Sequence, residues 1–327
     1  MLTSAFGSAS LTTDSEYELS RAQYFMRSNP AKSLAILNKI PHVESLPDDQ
    51  QVTFYALKLR TSLTLNHLDD IDPILETLFK LDDKPAFANK IVSVLSGTGI
   101  WLRKTNYFDA AQHVFSCALK HADTSSQQIS ILISSAIVAR YKKDYTLAKS
   151  IYEEATPIAQ RLNDQRAIAT IDNNLGTIAM DQGNIKQAEM RFRDALSAFQ
   201  LANNYSGHLN SGINLLFTFV LQNKSIDFQR LYPHISQLSN EYSDESKKAY
   251  LFWVNSAFQY TQGVKPNDMQ RQELLSTFDK LAGPQLKTLI KNHLASLMGV
   301  NVPRVEHASA KKFENKSWYN KVLSCNW

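Results

Sequence analysis

Between Ala188 and Phe199 the apolar side chains fall at 188, 192, 195, 196 and 199, with polar and charged residues between them. On a helix of 3.6 residues per turn that spacing paints a single stripe. The stripe alternates small and large: Ala188 and Ala195 are small, and Phe192 between them is large. Upstream, Leu175, Gly176 and Ala179 form a second such run, separated from the first by Gly183. The pattern predicts a helix over 188–199 with a turn before it, and Ala188 and Ala195 leave room for a partner helix to cross closely. Ala188→Leu should overpack that crossing by about 1–3 kcal/mol.

The same order of residues recurs along the chain. Ala148, Tyr152 and Ala155 precede Ala188, Phe192 and Ala195 by 40 residues. Ala111, Phe115 and Ala118 lie 37 before those, with Gly99 in the preceding helix. Ile71, Leu75 and Leu78 lie 40 further back, and Phe228, Tyr232 and Ile235 lie 40 forward of the best copy. Turns are expected on the same beat at Asn66, Asn106, Asp144, Asn184, Lys224 and Val264. A fixed period in this range predicts stacked helix pairs, none of which buries enough surface to stand alone. HADTSSQQ (121–128) and LNDQ (162–165) supply the Asp, Ser and Asn that cap helix starts.

On these residues the stretch DNNLGTIAMDQGNIKQAEMRFRDALSAF (172–199) resembles the tetratricopeptide repeat. The likeness is fullest over residues 92–200, and residues 45–82 and 206–242 keep its spacing with larger apolar groups in place of Ala. Residues 17–41 and 246–281 fit as degenerate end units. The long period resembles the repeats of bacterial sensor and peptide-receptor proteins. The resemblance implies an all-α fold, a right-handed superhelical α-solenoid of antiparallel hairpins. It would place about seven hairpins and a capping helix at Gln285–Met298 within residues 17–300. A flexible N-terminus (1–16) and a C-terminal tail (301–327) would flank them.

Composition agrees and narrows the partners. Only 10 Gly and 10 Pro, with few β-branched runs between turns, favour helices throughout. The 35 basic and 31 acidic residues nearly balance, so neither a nucleic acid nor a membrane surface is implied. No stretch reaches the roughly 18–20 apolar residues of a membrane span; the run Ile213–Leu221 is broken by Gln222, Asn223 and Lys224. MLTSAFGSASLTTDSEY has neither the basic start nor the apolar run of a signal peptide, which points to the cytoplasm. SAFGSAS does look like the end of a cleavage region, so a start further upstream would make the protein periplasmic or secreted. Cys117 and Cys325 are too few for a disulfide framework, and a reducing compartment is the expectation. Nothing in the sequence fixes the oligomeric state.

In this architecture the first helix of each hairpin lines the concave face. Asn174 and Asn214 precede Leu175 and Leu215 in the same register. In peptide-binding members of the family an asparagine ladder at this helix grips the peptide backbone, because the amide offers both a donor and an acceptor. Asn173, Thr177, Asp181, Asn210 and Phe217 would project from the same strip. The alternative is that these asparagines tie neighbouring repeats together or face water. Arg103, Lys104, Arg140, Lys142 and Lys143 gather at helix ends, where they either receive a carboxylate or compensate helix dipoles. The family's carboxylate clamp is not reproduced.

No catalytic constellation is present: there is no G-x-S-x-G, phosphate-binding glycine loop or H-E-x-x-H. His113, Cys117 and His121 recur every four residues on one helix, near metal-ligand spacing, but no fourth ligand is apparent and no metal or cofactor is expected. Asp69, Asp70, Asp72, Asp82 and Asp83 fall where acids cap helices. The expected function is that of a non-enzymatic adaptor holding a peptide or protein in its groove. The alternative is a sensing regulator that acts through a separate output protein. The tail's Trp318, Tyr319 and Trp327 would dock on a partner, fold back over the last hairpin, or hang free.

Overall fold

Six left-handed residues set the period of the fold: Asn66, Asn106, Lys143, Gly183, Asn223 and Gly263 all have positive φ just past a helix end. Asn and Gly enter this region at low cost. After each, the next N–H reaches back five residues to a helical carbonyl, as from Tyr107 to Leu102, Asn184 to Ala179 and Lys224 to Phe219, at 2.8–2.9 Å. This bond satisfies a carbonyl left over at the helix end and reverses the chain. The expected turns are therefore in place.

The computed structural model describes residues 5–241, 244–305 and 313–327. Among the described residues all regular structure is helical. The chain forms two units, residues 1–144 with 309–327, and residues 145–308.

In the first unit, α1 (Ala5–Ser28) pairs with α2 (Pro30–Leu37), and α3 (Asp48–Leu65) with α4 (Ile71–Leu78). The short α5 (Pro85–Ala88) leads to the hairpin of α6 (Ile91–Lys104) and α7 (Phe108–Lys120), followed by α8 (Ser125–Tyr141). Residues 5–16, expected to be flexible, are the first half of α1. That helix is held further along by Leu19 and Ala22, which pack with Ile36, Leu37, Phe54 and Leu57. Residues 1–4 lie outside the described residues.

The second unit runs from α9 (Tyr145–Arg161) through the pairs α10 (Gln165–Asp181) with α11 (Ile185–Leu201) and α12 (Tyr205–Leu221) with α13 (Ser225–Glu241). Then come α14 (Glu245–Thr261) and α15 (Asp268–Lys280). The segment expected to cap the stack holds α16 (Gly283–Ile290), continued by a π-helical stretch, Lys291–Ala295, into α17 (Ser296–Met298). Side chains of Thr124, Asp164, Asn184, Asn204, Asp244 and Asn267 each accept a backbone N–H at a helix start. Losing such a cap costs about 1 kcal/mol.

Close crossings follow the small residues. A Cβ on Gly176 would lie 2.7 Å from the ring of Phe192, and one on Gly99 would lie 2.7 Å from Phe115. Phe192, the large residue between Ala188 and Ala195, thus covers the glycine of its own hairpin. Ala111, Ala118, Ala188 and Ala195 have no exposed surface.

The last helix, α18 (Ser317–Ser324), belongs to the first unit and packs on α4 and α7. This corrects the expected alternatives for the tail, none of which placed it there. Trp318 is fully buried and donates its indole N–H to Asp72 at 2.9 Å. Lys316 bonds Asp72 at 2.7 Å, and Lys321 bonds Asp82 at 2.7 Å and the Phe79 carbonyl at 2.9 Å. Of the acids expected merely to cap helices, Asp72 and Asp82 are thus anchors for the tail. Cys117 and Cys325, expected as free thiols, are joined in a disulfide with Cα atoms 5.9 Å apart. Docking of the tail brings them together.

Candidate functional site on α10 and α12

Asn173, Asn174, Thr177 and Asp181 share one face of α10, because steps of three and four residues return to the same side of a helix. Asn210, Asn214 and Phe217 occupy the matching face of α12. The opposite faces of both helices turn toward grooves beside the second helices. One groove, of about 520 Å³, is lined by Tyr152, Ile171, Asp172, Leu175 and Arg191. Another, of about 480 Å³, is lined by Arg193, Leu215, Phe219, Asp227 and Arg230. In the first, Arg191 bonds Asp172 at 2.8 Å, yet burial outweighs it and holds the Asp172 carboxyl above the usual carboxylate range.

The asparagine face is a hydrogen-bonded chain from helix to helix. Asn173 Oδ1 accepts from Ser211 Oγ at 3.0 Å and from Asn214 Nδ2 at 3.1 Å. Asn214 Oδ1 in turn accepts from the Tyr250 hydroxyl at 3.1 Å. Burial raises the Tyr250 pKa far above that of a free phenol, so it stays a donor. Asn173 and Asn214 therefore connect α10, α12 and α14. Phe217 is fully buried, with its ring against Tyr250 and His293. Thr177 donates to the Asn173 carbonyl at 2.8 Å, Asn210 is half-buried and Asp181 is exposed.

Asn174 differs from its neighbours. Its Nδ2 is shielded from solvent and has no hydrogen-bond partner. A donor in that condition costs about 1–3 kcal/mol relative to a bonded one.

The remaining expected residue, Arg140, lies in the first unit, half-buried with its guanidinium 5.8 Å from the Tyr141 ring. Its basic neighbours bridge turns. Lys104 donates to Asn66 at 2.9 Å, and Lys142 pairs with Asp109 at 2.5 Å. The second unit has an equivalent that the sequence did not signal. The buried Glu189 accepts from Lys224 at 2.6 Å, Gln222 at 2.7 Å and Arg193 at 2.9 Å. A second arrangement was also missed: His208 Nε2 lies 3.1 Å from His234 Nε2. The pair lines a pocket of about 330 Å³ together with Tyr205, Gln237 and Glu241.

Residues 127–201 match the tetratricopeptide repeat family. No curated protein matches the sequence. Among solved structures, the apo quorum sensor NprR from B. thuringiensis is similar at 14% identity and a TM-score of 0.60, covering 95% of this chain and 87% of that one. A Rap protein complexed with Competence and Sporulation Factor aligns at 14% identity and a TM-score of 0.49, covering 96% and 98%. BtubC from P. vanneervenii aligns at 16% identity and a TM-score of 0.46, covering 82% and 99%. The fold is an all-α solenoid of tetratricopeptide-like hairpins.

Proposed function

We propose that this protein is a non-enzymatic interaction module that holds a peptide or a segment of a partner protein against the asparagine face of α10 and α12. The observation that carries the reading is the unpaired Nδ2 of Asn174, on the same helix face as Thr177 and Asp181. Asn173 and Asn214 are already bonded to other repeats, so in this reading they hold the face in shape, while the half-buried Asn174 side chain turns its covered amide outward to meet the ligand. A backbone carbonyl is the acceptor that such an amide can use whatever the ligand's sequence. The similarity to a protein described as a quorum sensor supports a second, narrower form of the proposal, in which the bound peptide is a signal and a separate protein delivers the output.

The test is affinity capture from native extract with wild type beside Asn174→Ala, both first matched by circular dichroism. A partner lost only from the variant supports the asparagine face. A partner held equally by both removes Asn174 from the binding site and overturns the reading.

A further inference from the structure

The structure assigns a metal site to Cys117, His121 and Cys325. We propose that in the reduced protein these three residues bind one zinc-like divalent cation, and that oxidation closes the site as the disulfide. The inference is independent of the asparagine face.

Three observations converge. First, Cys117 and His121 stand four residues apart where α7 ends, so both side chains face the same way. The C-terminal end of a helix dipole also favours a cation there. Second, Cys325 arrives from 208 residues away and completes a group whose ligand atoms all lie within 4.8 Å of one another. Zn–S bonds of about 2.3 Å and Zn–N bonds of about 2.0 Å put tetrahedral ligand atoms roughly 3.3–3.8 Å apart. Once the disulfide is reduced, the imidazole needs to close on the sulfurs by at most about 1.3 Å to reach that spacing. Third, Cys325 occupies a left-handed conformation, φ 52°, at the end of α18. Gly or Asn would sit there at lower cost. A cysteine in that position is explained by what its sulfur does.

The approach is also rigid. Cys325 follows the fully buried Trp318 and Val322 and precedes Trp327, whose ring packs against Phe79 and Phe87. Two thiolates and one imidazole are a soft donor set suited to Zn²⁺. Three protein ligands leave a fourth position for water, as zinc sites open to solvent do. Cys325 and His121 are both partly exposed, which gives that water access.

The conversion balances with a phosphine as reductant. Phosphine and one water reduce the disulfide to two thiols and form the phosphine oxide. Binding M²⁺ then releases both thiol protons as two thiolate–metal bonds form. Oxidation by a small-molecule disulfide reverses this: it takes two electrons from the protein thiolates and two protons from water to become two thiols, the protein sulfurs rejoin, and the cation leaves.

The test uses the full chain, reduced anaerobically with phosphine, freed of metal and titrated with Co²⁺. The expected result is one Co²⁺ per chain with thiolate-to-cobalt charge transfer, displaced by Zn²⁺ and absent from the oxidised protein. Cys325→Ser should lose the charge-transfer signal. His121→Ala, which keeps both sulfurs and the tail anchors, should bind at least tenfold more weakly. Reduced wild type without thiolate–cobalt absorption would overturn the site, leaving a plain disulfide. Unchanged affinity in His121→Ala would overturn it equally.

Discussion

The ring of Phe192 occupies the space that a Cβ on Gly176 would need, with Cε1 2.7 Å from the ideal position. The neighbour is a rigid ring in a fully buried site, so it cannot swing aside. Gly176→Ala should therefore destabilise by about 1–3 kcal/mol, although alanine is the better helix former by about 1 kcal/mol. Denaturant unfolding measures the change, and Phe192→Leu in the same chain should recover part of it. A more stable Gly176→Ala would mean that the crossing is looser than described.

The chain from Asn173 to Asn214 to Tyr250 predicts unequal costs at its two ends. Asn173→Ala strands two donors, Ser211 Oγ and Asn214 Nδ2, and should cost about 1–3 kcal/mol. Tyr250→Phe removes one hydroxyl donor and should cost about 1 kcal/mol. Equal losses in urea unfolding would argue against a shared acceptor at Asn173.

Asn174→Ala is expected to behave in the opposite way. Removing an unpaired, shielded donor should leave the melting temperature unchanged or raise it, while partner capture falls. A fall in melting temperature like that of Asn173→Ala would place Asn174 in the structural network instead.

Acid should weaken the second unit before carboxylates protonate. His208 Nδ1 donates to the Leu196 carbonyl at 3.1 Å, so its Nε2 must accept from His234. Burial lowers the His208 pKa, the Leu196 carbonyl opposes this, and nearby His234 lowers it further; Glu241 lines the same pocket. Burial also lowers the pKa of His293. A histidine depressed in the folded state binds fewer protons than in the unfolded chain. Its stabilisation is complete above the unfolded value, about 6.5, and is lost as pH falls toward the folded value. Melting temperature should decline from about pH 7 to pH 5.5, less steeply in His208→Asn. An identical slope in that variant would exclude His208 as a source.

Trp318→Ala should cost about 3–5 kcal/mol, because the indole is fully buried and bonded to Asp72. Tryptophan-to-alanine loss below 1 kcal/mol, by thermal unfolding, would show that the first unit is complete without the tail.

How much of this was legible in the sequence depended on distance along the chain. The Ala188, Phe192, Ala195 triad and its copies were readable because each hairpin's crossing is made within about 20 residues. The asparagine pairing was half readable. A translation of 40 residues matches Asn214 to Asn174, but the bond goes to Asn173, since side chains of stacked helices meet on the diagonal. The tail was not readable. Its aromatic and basic residues announce contacts, but their partners Asp72, Phe79 and Asp82 lie some 240 residues earlier, with no shared period to link them.

That long return has a consequence for how the molecule is made. Residues 313–327 leave the ribosome after everything else in this sequence, yet they complete the core around Phe79, Trp101 and Phe115. Domains ordinarily fold in the order of their synthesis. Here the second unit can finish first, while α4 and α7 wait with the apolar surface that α18 will cover. Through that interval they are the part of the nascent chain most in need of a chaperone.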